Sequence, residues 1–410
     1  MLVSHTVSDV NTRWPLSLRV AFRFGVSFYT ITTLYLAIDH LSSLLPFTQG
    51  VAETIQDRAL FAAYEWATKL LFGSDVVYST TAGFIAYMST ALIGAGLATI
   101  VWSLIDRRRL SYPRAYAVLR IYLRYLLAAV ALGYGFVKVW PSQFVPPSLV
   151  ALVSPLGDFT RMRLLWHTMG TSTAYTVFTG LVEVTGGLLL LSRRTTPIGA
   201  LVLAGAFINV TMLNFGYEIG VQLNSTIYAV MALTLLAPDA RRLATAFLER
   251  QDKPRDSNPT RRRLGRFVKA AVVVLLILMD AQTAYISRRD MSRVPALYGI
   301  YDVVDFVRDG VSVPPGDQAR WLRLILAERG TGAIQWTLGG RVDPYEVTED
   351  PAKSTVTLTA RQREPRTFTL QYSRTSDNLL EVSGRVDGHE IQARLRAIDV
   401  AQMPLRRPYR

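Results

Sequence analysis

The chain reads as a mainly α-helical membrane protein with an antiparallel β domain at its C-terminal end. Three observations predict this class. Half of the 410 residues are hydrophobic, 19% are charged and the mean hydropathy is +0.22. The apolar residues fall in runs close to the length that crosses a bilayer. The net charge is +14, and the positive residues gather at the ends of those runs, as in cytoplasmic membrane loops rather than in a groove for nucleic acid. From about Ala296 onward the apolar residues instead alternate with polar ones, the period of half-buried strands. The expected partner is the lipid bilayer, and nucleic acid is excluded as one.

Cysteine is absent. That removes disulfides, CxxC redox pairs, thiolate zinc sites, iron–sulfur clusters and covalent c-type haem. The four histidines are His5, His40, His167 and His389, and none lies in the middle of an apolar run. A bis-histidine haem inside the membrane is therefore not expected, and no metal site is.

The residues divide into 1–116, 117–243, 244–290 and 291–410. Arg13, Arg19 and Arg23 precede an apolar run to about Ile38. The run is too long for a cleaved signal and is read as a retained first span. Residues 46–75 place Ile55, Ala59, Ala62, Trp66 and Leu70 on one helical face, away from Glu53, Asp57, Glu65 and Lys69. This predicts an amphipathic helix on the membrane surface or, equally, a solvated connector. A second span runs over 83–105 and stops at Asp106-Arg107-Arg108-Arg109; a third covers 117–140. A proline-rich loop follows, with Pro141, Pro146, Pro147 and Pro155. The fourth span, 173–191, stops at Arg193-Arg194. Pro197 opens the fifth, where a first helical turn tolerates proline. The sixth covers 222–237, a basic linker 238–269, and a seventh span 268–286.

With about seven spans, the arginine-rich ends fall on one side, which places the N-terminus in the cytoplasm and residues 291–410 outside the cytoplasmic membrane. In that last part Val356 and Leu358 alternate with threonines, as do Phe368, Leu370 and Tyr372 with polar residues, and Ile391, Ala393 and Leu395. Asp387-Gly388 marks a turn, and further strands are expected near 300–308, 319–328, 332–338 and 342–348. About eight strands predict a small up-and-down barrel or a curled meander. No catalytic motif stands out there.

The candidate site lies in the helices. Arg124, Ala131 and Lys138, with Arg120 and Tyr134, form one stripe down the third span. Thr176, Thr179, Glu183 and Gly187 form a matching stripe on the fourth. Counted from the cytoplasmic ends of the apolar runs, Arg124 and Glu183 lie at ~10 and ~13 Å, so they are expected to meet. Two readings of that pair stay open: an ion pair that fixes helix packing, or the lining of a pocket for a polar head group. Lys138, Trp140, Gln143, Trp166 and His167 would form the mouth of such a pocket, unless the tryptophans only mark the aromatic belt. Asn209, Asn214, Asn224 and Tyr228 would line it, unless the asparagines merely bond between helices.

Several stretches resemble the DoxX-like membrane proteins. They are Gly133-Tyr134-Gly135-Phe136-Val137-Lys138 with Gln143-Phe144, Leu165-Trp166-His167-Thr168-Met169-Gly170, Tyr175-Thr176-Val177-Phe178-Thr179-Gly180, the run from Glu183 to Leu191, and Arg193-Arg194-Thr195-Thr196. The resemblance covers about 119–243. It implies a four-helix membrane core, with Arg124, Lys138 and Glu183 at recurrent charged positions. It also implies an association with membrane redox complexes, including thiosulfate:quinone oxidoreductase. Two departures bear on chemistry: Gly216 stands where the resemblance would place cysteine, and the turn at Gly73-Ser74-Asp75 is short of glycines. Thiol chemistry is therefore not implied. The resulting expectation is a redox-associated protein that binds a quinone-like lipid or a small acid in the helical core. The alternative is a non-enzymatic scaffold that holds the β domain beside a membrane or extracytoplasmic partner. A small-solute transporter is a weaker reading, since inverted repeats and broken helices are not evident.

Overall fold

The computed structural model describes residues 13–44, 62–74, 76–240, 245, 295–337, 340–360, 366–376, 378–403 and 405. The helices are α1 (Leu16–Leu44), α2 (Ala62–Phe72), α3 (Thr81–Ile105), α4 (Pro113–Val139), α5 (Leu149–Val153), α6 (Arg161–Thr171), α7 (Thr173–Leu190), α8 (Thr196–Gly216) and α9 (Gln222–Leu236). Four of them, α3, α4, α7 and α8, are long and apolar enough to cross a membrane. These are the predicted second to fifth spans. The predicted first span is α1, and the predicted sixth is α9, a helix of 15 residues. The predicted seventh span and nearly all of the basic linker lie outside the described residues, as does all of 46–61.

Local signals set the ends. Thr80 caps α3, its Oγ1 accepting from Gly83 N at 2.9 Å. Pro113 and Pro197 occupy first turns, where the missing N–H costs nothing. The expected proline-rich loop is more ordered than its prolines suggest. Ser148 caps α5 and Thr160 caps α6, through Ala151 N at 3.3 Å and Arg163 N at 3.1 Å, and the prolines sit in the connections.

The chain divides into two compact units. One comprises residues 1–136 and 179–276, the other 137–178 and 277–410.

The first unit buries Leu127, Ala131, Leu203, Phe207, Ile227 and Met231 in one apolar core. Within it α4 and α7 approach closely at small residues. A Cβ on Gly135 would come within 2.6 Å of Val184 Cγ2 and 2.9 Å of Gly180 O; one on Gly187 would come within 3.2 Å of Ala128 O. Such backbone approach is what small residues allow between membrane helices. In α2, Thr68 is buried and Tyr64 donates a hydrogen bond to Tyr87 O, while Trp66 and Leu70 face outward. The apolar face predicted for this segment is thus the exposed one.

The second unit contains a nine-stranded antiparallel sheet: β1 (Gly299–Arg308), β2 (Val311–Ser312), β3 (Trp321–Ala327), β4 (Thr331–Trp336), β5 (Val342–Asp350), β6 (Thr355–Ala360), β7 (Thr367–Ser376), β8 (Leu379–Val386) and β9 (His389–Ile398). Consecutive strands from β3 to β9 pair in order, and β1 pairs with both β3 and β9. The sheet therefore closes into a barrel of eight strands (the nine less the two-residue β2). Of the two predicted forms, the up-and-down barrel is the one observed. The hairpin turns Asp309-Gly310 and Asp387-Gly388 both have positive φ, at 51° and 80° and at 48° and 85°. This is the geometry that matches strand twist in a two-residue loop.

Phe306, Leu324, Ile334, Leu358, Leu370, Val382 and Leu395 fill the barrel interior. Threonines such as Thr357 and Thr369, their hydroxyls 3.0 Å apart, stand on its exposed face. Apolar inside and polar outside is the inverse of a lipid-facing barrel. One patch of the outer face is covered too. Leu149 and Val153 of α5 pack on Ile300, Ile325, Ala327 and Ala333, and Gln335 Nε2 donates to Val153 O at 3.1 Å. That explains the unbroken apolar run Leu324-Ile325-Leu326-Ala327: β3 is buried on both faces.

Candidate functional site

The polar groups of the helical unit fall into separate clusters rather than one. On α7, Gly180, Glu183, Val184 and Gly187 share a face, and that face meets α4 at Gly135 and at Ala128 to Leu132. The residue numbers of the touching pairs sum to between 315 and 319 (135 with 180 or 184; 187 with 128, 131 or 132). This antiparallel register sets Glu183 level with Tyr134. The side chains agree: the Tyr134 phenol hydrogen-bonds Tyr228 and stands within electrostatic reach of the Glu183 carboxylate. The Tyr134 and Tyr228 rings are 6.1 Å apart, and Tyr228 lies 5.4 Å from Phe207. Glu183 is 2% exposed and Tyr228 3%, whereas Tyr134 is 38% exposed. Asn224, one turn before Tyr228 on α9, accepts from Tyr78 Oη at 2.7 Å. Helices α4, α7 and α9 thus bring one carboxyl and two phenols together, with a carboxamide and a third phenol one turn away.

Arg124 does not join them. It is buried, but its guanidinium lies 4.7 Å over the Tyr125 ring, and its Nε has no hydrogen-bond acceptor among the described residues. Among the described residues no ion pair links it to Glu183. The register gives the reason: Arg124 lies ten residues before Tyr134 on α4, which is about 15 Å of helix. Apolar-run ends are poor rulers of depth, because α4 already begins at Pro113 and α7 ends at Leu190. The expected meeting of Arg124 with Glu183 is therefore corrected.

Arg120 instead reaches Asp239 just beyond α9, at 3.4 Å, with both side chains partly exposed. Such a pair adds little stability. Asn214 is buried and donates to Ser225 Oγ at 2.9 Å. It therefore bonds between α8 and α9, one of the two roles left open for it. Asn209 is exposed and lines no interior cluster.

Lys138 and His167 belong to the second unit. Lys138 is 7% exposed. His167 is half-buried on α6, with Phe159 at 5.4 Å, and Arg163 lies 4.3 Å over that same Phe159 ring. Burial first, and the Arg163 charge second, hold its imidazole below the ordinary histidine range.

Several polar residues escaped sequence reasoning. Gln222 is 1% exposed, and neither its Oε1 nor its Nε2 has a partner among the described residues. Arg23 is 3% exposed and donates to Tyr112 Oη from Nε at 3.0 Å and Nη2 at 2.7 Å, to Ser103 Oγ at 2.8 Å and to Asp106 O at 2.8 Å. Its signal was visible, an arginine set between Phe22 and Phe24. Tyr78 gave none, because a tyrosine beside a span reads equally well as an interface residue.

No protein-family model and no solved structure matches the chain. The Bacillus subtilis (strain 168) protein YwoB, itself uncharacterised, is 34% identical over 142 residues, which are 34% of this chain and 87% of YwoB. At that identity and coverage, the chain belongs to the family of YwoB.

Proposed function

We propose that the helical unit is a DoxX-like, redox-associated membrane protein that receives the polar head of a quinone-like lipid at Tyr134, Glu183 and Tyr228. One observation carries this reading: a nearly fully buried carboxyl beside a half-exposed phenol in an apolar bundle. Ionisable groups at such positions are costly and mark functional sites by default. A half-exposed phenol gives an incoming carbonyl a donor, and the carboxyl gives a hydroxyl an acceptor. The residues thus suit a group that changes between carbonyl and hydroxyl. Titration with a short-chain ubiquinone analogue tests the proposal, using the detergent-solubilised protein and its Tyr134→Phe and Glu183→Gln variants. Saturable binding that weakens in both variants is expected. Absent binding, or binding that both changes leave intact, overturns it.

The second reading, a scaffold that presents the barrel to a partner, is supported by the barrel itself. Its interior is filled by side chains, so any interaction it makes uses its polar outer face. Detergent extraction at native expression levels separates the readings. A stoichiometric partner with no quinone effect favours the scaffold.

We also propose a multi-pass protein of the bacterial cytoplasmic membrane with seven spans, its N-terminus inside and its barrel outside. The distribution of arginines supports this. A reporter active only outside the cytoplasm should be on when fused after Arg410 and off near Asn258. The opposite pattern overturns the seven-span count.

A further inference from the structure

A second anion-seeking feature stands apart from the carboxyl–phenol cluster. Residues 13–25 and 102–116 carry seven arginines, Arg13, Arg19, Arg23, Arg107, Arg108, Arg109 and Arg114, against one acid, Asp106. The structure brings these two stretches together. Trp14 N donates to Leu110 O at 3.0 Å, and Arg19 Nη1 donates to Arg109 O at 3.2 Å. The single carboxylate is already engaged, since Tyr112 Oη donates to Asp106 Oδ2 at 2.9 Å. Arg23 is committed to Tyr112, Ser103 and the Asp106 carbonyl. Arg23 and Arg109 flank the Tyr112 ring at 5.4 and 5.0 Å.

What remains is unbalanced. Arg19 Nε is buried with no acceptor among the described residues, a cost that a charged donor escapes when an anion or water meets it. Arg109 is exposed beside it, stacked on Tyr112. Around them stand Trp14, Phe22, Trp102 and Tyr112, with Trp14 5.6 Å from Phe22 and Trp102 5.8 Å from Tyr112. Tryptophan and tyrosine collect at the level of lipid head groups. A guanidinium presents its Nε and Nη donors as a fork, which matches two oxygens of one phosphate.

We propose that Arg19 and Arg109 form a phosphate-binding site that takes the head-group phosphate of an anionic phospholipid. The Arg19 fork grips two phosphate oxygens, and Arg109, oriented by its stacking on Tyr112, supplies the second charge. Arg23 is a positioning residue. It holds Tyr112 and the 106–112 turn in place, with four of its five N–H donors engaged there. The aromatic group beside the site covers the glycerol and upper acyl region.

The test uses the full chain in nanodiscs of phosphatidylcholine with and without phosphatidylglycerol. Phosphatidylglycerol retained by the protein is counted by native mass spectrometry. Removing one arginine near an anionic lipid surface weakens binding about fivefold. Arg19→Gln and Arg109→Gln should each have that effect, and the pair should abolish retention. Arg19→Lys, which keeps the charge but not the fork, should still lose binding. Arg108→Gln is the control for charge alone. An equal loss there shows a diffuse basic surface and overturns the site. Inorganic phosphate, added as competitor, separates the two sources of the group. Displacement of the lipid by phosphate at comparable concentration keeps the phosphate chemistry but overturns the lipid assignment. An unchanged thermal midpoint in the double variant establishes that the chain has kept its fold.

Discussion

Gly135 lies against Val184 with no room for a side chain. A Cβ there would meet Val184 Cγ2 at 2.6 Å and two backbone atoms, Gly180 O and Val184 N, at 2.9 Å. The side chain could turn away, but the backbone cannot. Gly135→Ala must push α4 and α7 apart and disturb the level at which Glu183 meets Tyr134. The expected loss is about 1–3 kcal/mol, in the range of overpacking, read as a lower thermal midpoint in detergent. Gly133, two residues away, has nothing within 4 Å. Gly133→Ala should leave the midpoint unchanged or raise it slightly. Equal effects at both positions would contradict the close approach.

The same register makes a prediction about coupling. Tyr134 and Glu183 are neighbours, so their double-mutant cycle should show an interaction of about 0.5–3 kcal/mol. Arg124 and Glu183 lie about 15 Å apart along the helix axis, so Arg124→Ala and Glu183→Ala should add within about 0.5 kcal/mol. A strong Arg124–Glu183 coupling would mean that the helices are shifted by more than two turns.

Gln222 is predicted to weaken the fold it belongs to. Its amide is buried with neither donor nor acceptor satisfied among the described residues, and each such group costs about 1–3 kcal/mol. Gln222→Leu keeps much of the volume and removes both polar atoms. It should raise the thermal midpoint. A fall would show that the amide meets a bound water or ligand.

His167 gives a pH dependence. Burial and Arg163 lower its folded-state pKa, so the unfolded chain binds the proton more readily. Stability from this group is complete above the unfolded value of about 6.5. It falls as pH drops below that value and levels off below the folded pKa. A proton-NMR titration of the His167 ring should give a midpoint under 6.5, and His167→Gln should flatten the slope of stability between neutral and mildly acidic pH. A midpoint above 6.5 would rule out the assigned environment.

The barrel was the more legible part. Val356, Leu358, Phe368, Leu370, Ile391, Ala393 and Leu395 alternate along the sequence, and all seven are buried, because strand geometry turns period-two patterning directly into inside and outside. The strand at Leu379–Val386 was missed even so, although Leu380 and Val382 alternate in the same way. It follows β7 after a short connection, and the only turn signal at the break is the polar run Thr375-Ser376-Asp377-Asn378, which has no glycine. The run Leu324-Ile325-Leu326-Ala327 did not alternate, since α5 covers its other face, and only the folded chain shows which segment does so. In the helices the lengths were readable and the depths were not. Hydropathy marks where an apolar run stops, whereas register is set by which small residues touch. Gly135 and Gly187 carry that information, but nothing in one sequence pairs them with Val184 and Ala128. The sequence thus names Glu183, Tyr134 and Tyr228 without showing that the fold brings them together, and it gives Arg124 the wrong neighbour.

The pairing of β1 with β9 has a consequence for how the protein is made. The strand that completes the barrel is the final one to leave the ribosome. Without it, a sheet of β1 to β8 would be open, and its two outer strands would present unpaired N–H and C=O groups, templates for joining another chain. Closure is thus a late event that spans nearly the whole domain in sequence, the kind of long-range contact that folds slowly and leaves nascent chains open to aggregation. A chain that ended before Ile391 would not be a slightly shorter protein. It would keep two adhesive edges permanently, and the cell would meet it as an aggregate or as a substrate for proteolysis.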